Sequence, residues 1–313
     1  DGDDRGAEIT RLFHEDKSAL AQYNLRDCEL VTEIFAVAKL LDFAVARSVM
    51  TGLNVDRMGG SVASFDNLYL PRLHRRGYVA PNASADHVAS PGGFVLDSTP
   101  GIYDHVLVLD FKSLYPSIIR TFFVDPLGLA LAMQGQIPDA QTVPGYLNAR
   151  FAREGHILPG LIEQLWQQRD VAKAARDEPL SQAIKILMNS FYGVLGTPGC
   201  RFFDARLASS ITRRGHHILG RTRDAIEAAG HRVIYGDTDS VFVWIQDART
   251  DEHAMVAGRR LEQDLNALWR REIRGQFDLE SVLQLQFETH FKRFLMPTVR
   301  GSDKGSKKRY AGV

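Results

Sequence analysis

Only two cysteines, Cys28 and Cys200, occur in 313 residues. They lie far apart, with no His or Cys at ligand spacing, so neither a disulfide framework nor a zinc site is expected. A reducing compartment, the cytoplasm, is therefore expected. No apolar run reaches the ~18 residues that a bilayer span needs, so no membrane anchor is expected. The start at Asp1 has neither an initiator Met nor the basic-then-apolar pattern of a secretory signal, and it reads as a cut end. Internal repeats and low-complexity tracts are missing, which excludes solenoids and disordered tails. Net charge is missing as well: 38 Lys and Arg balance 38 Asp and Glu, so the total lacks the basic footprint usual for a nucleic-acid partner.

The charges that are present are segregated. Residues 201–223 hold six Arg against Asp204, residues 292–309 hold seven Lys or Arg against Asp303, and the first sixteen residues hold six acids and two Arg. Either basic run alone is ordinarily a solvated face; two flanking one acidic motif point toward a polyanion. A hydrophobic content of 44% with 24% charged residues fits a soluble globular chain long enough for roughly two folding units.

Residues 17–50 carry apolar positions near a 3.6 period and read as one helix, with a boundary near residue 50. A second periodic stretch follows at Val62 to Leu73, and then an irregular connector is marked by Pro81, Pro91-Gly92-Gly93 and Pro100-Gly101. Val106 to Phe111 is a continuous apolar run closed by an acid, the pattern of a strand buried on both faces. Arg232 to Tyr235 and Ser240 to Ile245 flank Gly236-Asp-Thr-Asp239 and predict a β-hairpin with a tight turn. Between these strands, Pro159 to Ala175 and Leu180 to Tyr192, separated by Asp177-Glu-Pro179, predict an αα-hairpin. Ile162, Trp166, Arg169 and Lys173 share a face of its first arm, and Lys185, Asn189 and Tyr192 a face of its second.

Three constellations carry chemistry. Asp110 ends a buried strand, where an acid must pair or bind a cation, and the turn through Ser113 to Ser117 offers amide groups beside it; a simple helix N-cap is the alternative. Asp237 and Asp239 stand two apart on an extended hairpin and point to one side, which invites a cation; a surface turn that favours Asp is the alternative. In Lys185 to Gly193, Lys185 is a candidate phosphate donor, and Tyr192-Gly193 lets a ring and bare backbone approach a flat ligand.

Asp110 to Ser117, Lys185 to Gly193 and Tyr235 to Ser240 resemble motifs A, B and C of family B DNA polymerases, in the family's order. Tyr23-Asn-Leu-Arg-Asp27 is similar to the last motif of the 3′→5′ exonuclease, and Lys307-Lys-Arg-Tyr310 to the family's primer-side basic motif. The resemblance covers essentially the whole chain. The wording of Ser90 to Phe94 and Cys200 to Ser210 is most similar to bacterial repair members. It implies an α+β right hand: a palm of antiparallel sheet and helices with a helical-hairpin fingers insertion. The expected divisions are 1–50 (end of the exonuclease domain), 51–155 (connector and first palm segment), 156–196 (fingers) and 197–313 (second palm segment), ending where the family's thumb is expected to follow.

The resemblance further implies template-directed DNA synthesis with two Mg²⁺ ions held by Asp110 and Asp239, helped by the carbonyl of Phe111, with Asp237 in support. Ser113, Leu114, Tyr115, Arg169, Lys173, Lys185 and Asn189 become expected nucleotide contacts, with Tyr115 as the sugar filter. Tyr192, Gly193, Thr238, Lys307, Lys308, Arg309 and Tyr310 become expected contacts to primer-template DNA. A sliding clamp is expected to bind through regions outside this chain, and a bacterial, nucleoid-associated location follows. Tyr23 and Asp27 are expected to be an exonuclease remnant without proofreading, since the family's two earlier acidic motifs would precede Asp1. Ser90 departs from the Tyr many relatives place before Gly-Gly. A two-metal nuclease could use the same acids, but the cationic hairpin and Tyr115 have no evident use in hydrolysis; an inactive nucleic-acid-binding chain is the other alternative. Adjacent Asp-Asp, usual in RNA-copying enzymes, is interrupted here by Thr238.

Overall fold

The structure is a computed structural model that describes residues 2–57, 59–83 and 90–313. The start at Asp1 and part of the expected connector, residues 84–89, lie outside the described residues.

Helices α1 (Gly2–Glu15), α2 (Lys17–Val37), α3 (Leu40–Thr51) and α4 (Ser61–His74) precede strand β1 (Gly101–Phe111). Then come α5 (Leu114–Thr121), α6 (Pro126–Met133), β2 (Thr142–Pro144), β3 (Arg150–Ala152), α7 (Leu158–Ala174), α8 (Glu178–Leu195) and α9 (Ala205–Ala228). The chain continues through β4 (Arg232–Asp237), β5 (Ser240–Trp244), α10 (Asp251–Phe277), β6 (Leu285–Met296) and β7 (Ala311–Gly312). The main sheet is antiparallel, in the order β4-β5-β1-β6-β7, and β2 and β3 form a separate pair. This is the expected α+β architecture.

β1 lies at the centre of the sheet because both of its faces are apolar. Leu107, Leu109 and Phe111 pack toward the layer that holds α9 and α10, whereas Val106 and Val108 join Ile234, Tyr235, Phe242 and Phe294 on the opposite face. Asp110 alternates onto that second face. α9 and α10 touch through Trp269 Nε1, which donates to Thr222 Oγ1 at 3.0 Å. Gly258 lets α10 approach the sheet, since a Cβ there would stand 3.1 Å from Leu107 and Phe287.

The αα-hairpin forms as expected from α7 and α8, reversing at Arg176 (φ 57°) before Asp177 caps α8 by accepting from Leu180 N at 3.1 Å. Residues 17–50, by contrast, are not one helix. Lys39 adopts a left-handed conformation (φ 51°) and divides α2 from α3, which lets Ala44, Arg47 and Thr51 turn inward as α3 packs along α8. The apolar period runs across the break, so periodicity alone missed it. α1 was also missed, although Arg11 pairs with Glu8 and Glu15 at helical spacing. The stretch Leu114–Met133 is long and apolar enough to span a bilayer by composition, but it is two helices and 72% buried, which makes it core.

One fully buried acid joins three parts of this fold. Asp125 caps α6 through Gly128 N (2.8 Å) and receives Leu158 N (2.7 Å) and Ile157 N (3.1 Å) from the start of α7. Tyr69 of α4 donates to the same carboxylate at 3.0 Å and itself accepts from Leu127 N at 3.0 Å. Asp125→Ala would strand these buried donors, each costing ~1–3 kcal/mol without an acceptor. The expected outcome is a loss of about 3–5 kcal/mol in urea unfolding; a midpoint within error of the parent would contradict the assignment.

Candidate active site

The register brings the acids of two distant motifs together. Asp110 on β1 pairs with Ser240 on β5, and Ser240 pairs in turn with Asp237 on β4. Phe111 N donates to Asp239 O at 2.9 Å, tying the end of β1 to the hairpin turn. That turn is tight: Thr238 has φ 56°, and Asp239 N donates to Asp237 O at 2.6 Å.

Among the described residues, no other residue hydrogen-bonds or ion-pairs with the Asp110 or Asp239 side chain; the Asp239 carboxylate accepts only from its own backbone N–H. Burial, then the charges of Asp239 and Glu288, push the Asp110 carboxyl up to about 7, with Lys185 acting in the opposite sense. Burial also raises Asp239, with Asp237 and Glu288 adding to it and Lys185 again opposing. Two half-buried, mutually repelling oxygen donors without a protein cation suit a hard divalent ion such as Mg²⁺. The end-of-strand N-cap reading of Asp110 does not hold, because the residue capping α5 is Ser113.

Asp237 is engaged differently. Its carboxylate accepts from Tyr235 Oη at 3.2 Å and Thr238 Oγ1 at 3.0 Å and stands 3.5 Å from Lys308 Nζ. Tyr235 Oη in turn accepts from Lys308 N at 3.1 Å, and Tyr310 packs among Tyr235, Phe242, Phe291 and Phe294. The acidic hairpin and the basic segment Lys307–Tyr310 are thus one assembly, and Lys307, Lys308 and Arg309 are exposed beside it. The Ser90–Phe94 segment lies across the same turn: Thr238 N donates to Phe94 O at 2.7 Å. A Cβ on Gly93 would meet Thr238 Oγ1 at 2.7 Å, so a side chain there would displace Thr238.

Ser113 (φ 49°) turns the chain into α5, whose first amides, including those of Leu114 and Tyr115, have no acceptor within the helix. The Tyr115 ring stands 4.6 Å from that of Tyr192 on α8 and rests on Gly215 of α9, where a Cβ would lie 3.3 Å from it. Burial raises the Tyr115 phenol, with Tyr192, Asp239 and Asp237 adding to the effect, so the hydroxyl stays neutral. Above the acids, Lys185 and Asn189 are exposed on α8, and Gly193 leaves open space around its α carbon. On α7, Arg169 is half-buried with its Nε unpartnered, and Lys173 is exposed. The Lys173 ammonium is depressed by burial and by the neighbouring charges of Arg169, Lys112 and Lys185.

Two further charges belong to this group. Glu288 lies on β6 at the register shift opposite Val108/Leu109, close enough to raise both acids. Lys112, whose Nζ is 5.1 Å from the Trp166 ring, adds to the positive field at Lys173. Lys112 lies inside the first motif and could have been counted; nothing in the local sequence marks Glu288.

Most of the Arg side chains in the basic run 201–223 are paired with acids or buried within the chain, and Arg213 is exposed. Arg201 pairs with Asp66, Arg206 with Asp204, Arg221 with Glu272 and Arg223 with Asp224. Arg214 is buried against the rings of Phe122, Tyr146 and Phe277. Tyr23 and Asp27 lie exposed on α2, which packs mainly on α1 and α3 and has no buried residue. Cys28 and Cys200 are both free.

Comparison with known proteins bears on this geometry. Residues 58–313 match the model of DNA polymerase family B. DNA polymerase II of Escherichia coli (strain K12) is 58% identical over 311 residues, which are 99% of this chain and 40% of that protein. The DNA polymerase of Thermococcus gorgonarius is 28% identical over 317 residues, 94% of this chain and 38% of its own length. The structure of the family B DNA polymerase from the hyperthermophilic archaeon Pyrobaculum calidifontis superposes with a TM-score of 0.60 at 26% identity, over 89% of this chain and 35% of that one. The chain thus spans about two fifths of these polymerases. With three motifs folded around one acidic pair and the family's model matched over most of its length, the chain belongs to DNA polymerase family B.

Proposed function

We propose that this chain carries the nucleotidyl-transfer centre of a DNA-directed DNA polymerase, which adds deoxynucleoside triphosphates to a primer 3′-hydroxyl on a template. The observation that carries this reading is the Asp110–Asp239 pair, without an ion pair to any described residue, beside a helical hairpin bearing Arg169, Lys173 and Lys185. Asp110, Asp239 and the Phe111 carbonyl would hold two Mg²⁺ ions, whose chemistry is to acidify the primer hydroxyl and neutralise the triphosphate. Asp237 positions the basic segment Lys307–Tyr310 through Lys308 and Tyr235, and Lys307, Lys308 and Arg309 follow the primer-template backbone. The amides of Ser113, Leu114 and Tyr115 cradle phosphate oxygens from below while Arg169, Lys173 and Lys185 bind them from above, with Asn189 alongside. Tyr192, Gly193 and Thr238 lie against the nascent pair and the primer end.

Tyr115 is held between Tyr192 and Gly215, so its ring cannot retreat from a ribose, and a 2′-hydroxyl is rejected by a clash. The site is placed in the bacterial cytoplasm, on the nucleoid. Clamp contacts would come from parts of the polymerase this chain does not span. Hydrolysis by the same acids is the weaker reading, because a nuclease has no use for a cationic hairpin over the leaving phosphates.

The deciding experiment is primer extension with Mg²⁺. The parent extends a labelled primer and Asp239→Ala falls ~10²–10³-fold, the scale expected when a charge-stabilising group is removed; equal extension by both, or primer shortening in place of extension, would overturn the proposal. A second expected outcome concerns the sugar: with dATP and ATP in competition, Tyr115→Ala incorporates ATP at least ~10-fold more readily while still extending the primer. Unchanged discrimination would remove Tyr115 from this role.

A further inference from the structure

A second group of ligating side chains lies away from the carboxylate pair. His105 on β1, His290 on β6 and Asp251 at the first turn of α10 present nitrogen and oxygen atoms that all lie within 4.8 Å of one another. His105 Nδ1 and His290 Nε2 are 3.1 Å apart, and His105 Nδ1 is 3.8 Å from Asp251 Oδ1. The two imidazoles are nearly coplanar, with 10° between the planes and centroids 5.4 Å apart, so the two nitrogens face each other edge to edge. Facing lone pairs at that distance repel unless a proton or a cation lies between them.

We propose that His105, His290 and Asp251 form a site for a borderline transition-metal dication of the Zn²⁺ class, distinct from the oxygen-donor site at Asp110 and Asp239. The donor set is two imidazoles and a carboxylate, which suits Zn²⁺ and disfavours Mg²⁺. Ligand atoms about 2 Å from a tetrahedral Zn²⁺ are roughly 3.3 Å apart, between the two separations observed, and a turn of about 35° by each ring would bring its lone pair off the other ring and onto the ion. Lys292 Nζ stands 2.6 Å from Asp251 Oδ2, which leaves Oδ1 facing the imidazoles, 3.8 Å from His105 Nδ1. The three residues come from three elements, and the half-exposed setting leaves the fourth position to water.

The backbone aims His105 at this site. Tyr103 and Val106 join the same apolar cluster, so the alternation of β1 slips by one residue between them, at His105, whose φ is 57°. That slip turns its side chain to the face on which α10 begins, and His290 reaches the same face because it pairs with Leu107. Asp110 lies five residues further along β1, about 17 Å away at ~3.4 Å per residue, so the two sites are independent. A metal here would pin β1, β6 and α10 together behind the palm.

The test is a Co²⁺ titration of the chelator-treated full chain, read by visible d–d absorption. The expected result is a band that saturates at one equivalent, is displaced by Zn²⁺, and persists when Asp110 and Asp239 are both changed to Asn. His290→Gln and His105→Gln are each expected to weaken binding more than ~10-fold, the lower end of what loss of even an outer partner causes. Asp251→Asn, a change at the surface that leaves the core untouched, is expected to weaken it in the same direction and guards against a misfolded His variant. Absence of the band in the parent, or undiminished binding in the substituted chains, would overturn the proposal.

Discussion

Two carboxylates of like charge, Asp110 and Asp239, are held side by side, half-buried and with no cation of the described residues in contact, and the rest of the fold is arranged around that electrostatic problem. An apolar environment and a like-charged neighbour both disfavour ionisation, which is why Asp110 titrates near 7. Such an arrangement persists only when the scaffold over-determines it. Here β1 is apolar on both faces and paired on both edges, and the Phe111 N–H to Asp239 carbonyl bond fixes the second acid to the first.

The surrounding charges complete the arrangement. Lys185 on the hairpin opposes both acids electrostatically without forming a salt bridge with either. Asp237, although only two residues from Asp239, is neutralised by Lys308 and hydrogen-bonded to Tyr235 and Thr238. In the proposed function one acid of the hairpin is left for metal, while the other is tied to the basic segment, a difference the Asp-Thr-Asp spacing alone does not reveal. Asp125 does comparable work at the base of the αα-hairpin, where one carboxylate caps α6, receives the first amides of α7 and holds Tyr69 of α4.

What was legible in the sequence was what is encoded locally. Asp110, Lys185 and Asp239 each lie in a short motif whose element type follows from its own apolar pattern, so β1, the acidic hairpin and α7–α8 were readable. Glu288 was not, because its place beside Asp110 depends on a register shift in a strand paired across a long sequence separation. The pairing of the Arg201–Arg223 run was hidden for the same reason: Asp66 and Glu272, which pair with Arg201 and Arg221, are remote in sequence, and only the fold brings them together. The break at Lys39 escaped because one left-handed residue leaves the hydrophobic period on either side intact. The His105–His290–Asp251 group is a further case, since no two of its members are near one another in the chain.

The central claim is that Asp110 and Asp239 together form one divalent-cation site that serves nucleotidyl transfer. It is tested most directly by counting bound Mn²⁺ by electron paramagnetic resonance, with primer-template and a non-hydrolysable deoxynucleoside triphosphate present. The parent is expected to hold two ions in addition to any taken up elsewhere, and the Asp110→Asn, Asp239→Asn chain neither of them; equal Mn²⁺ occupancy in the two chains would contradict the account.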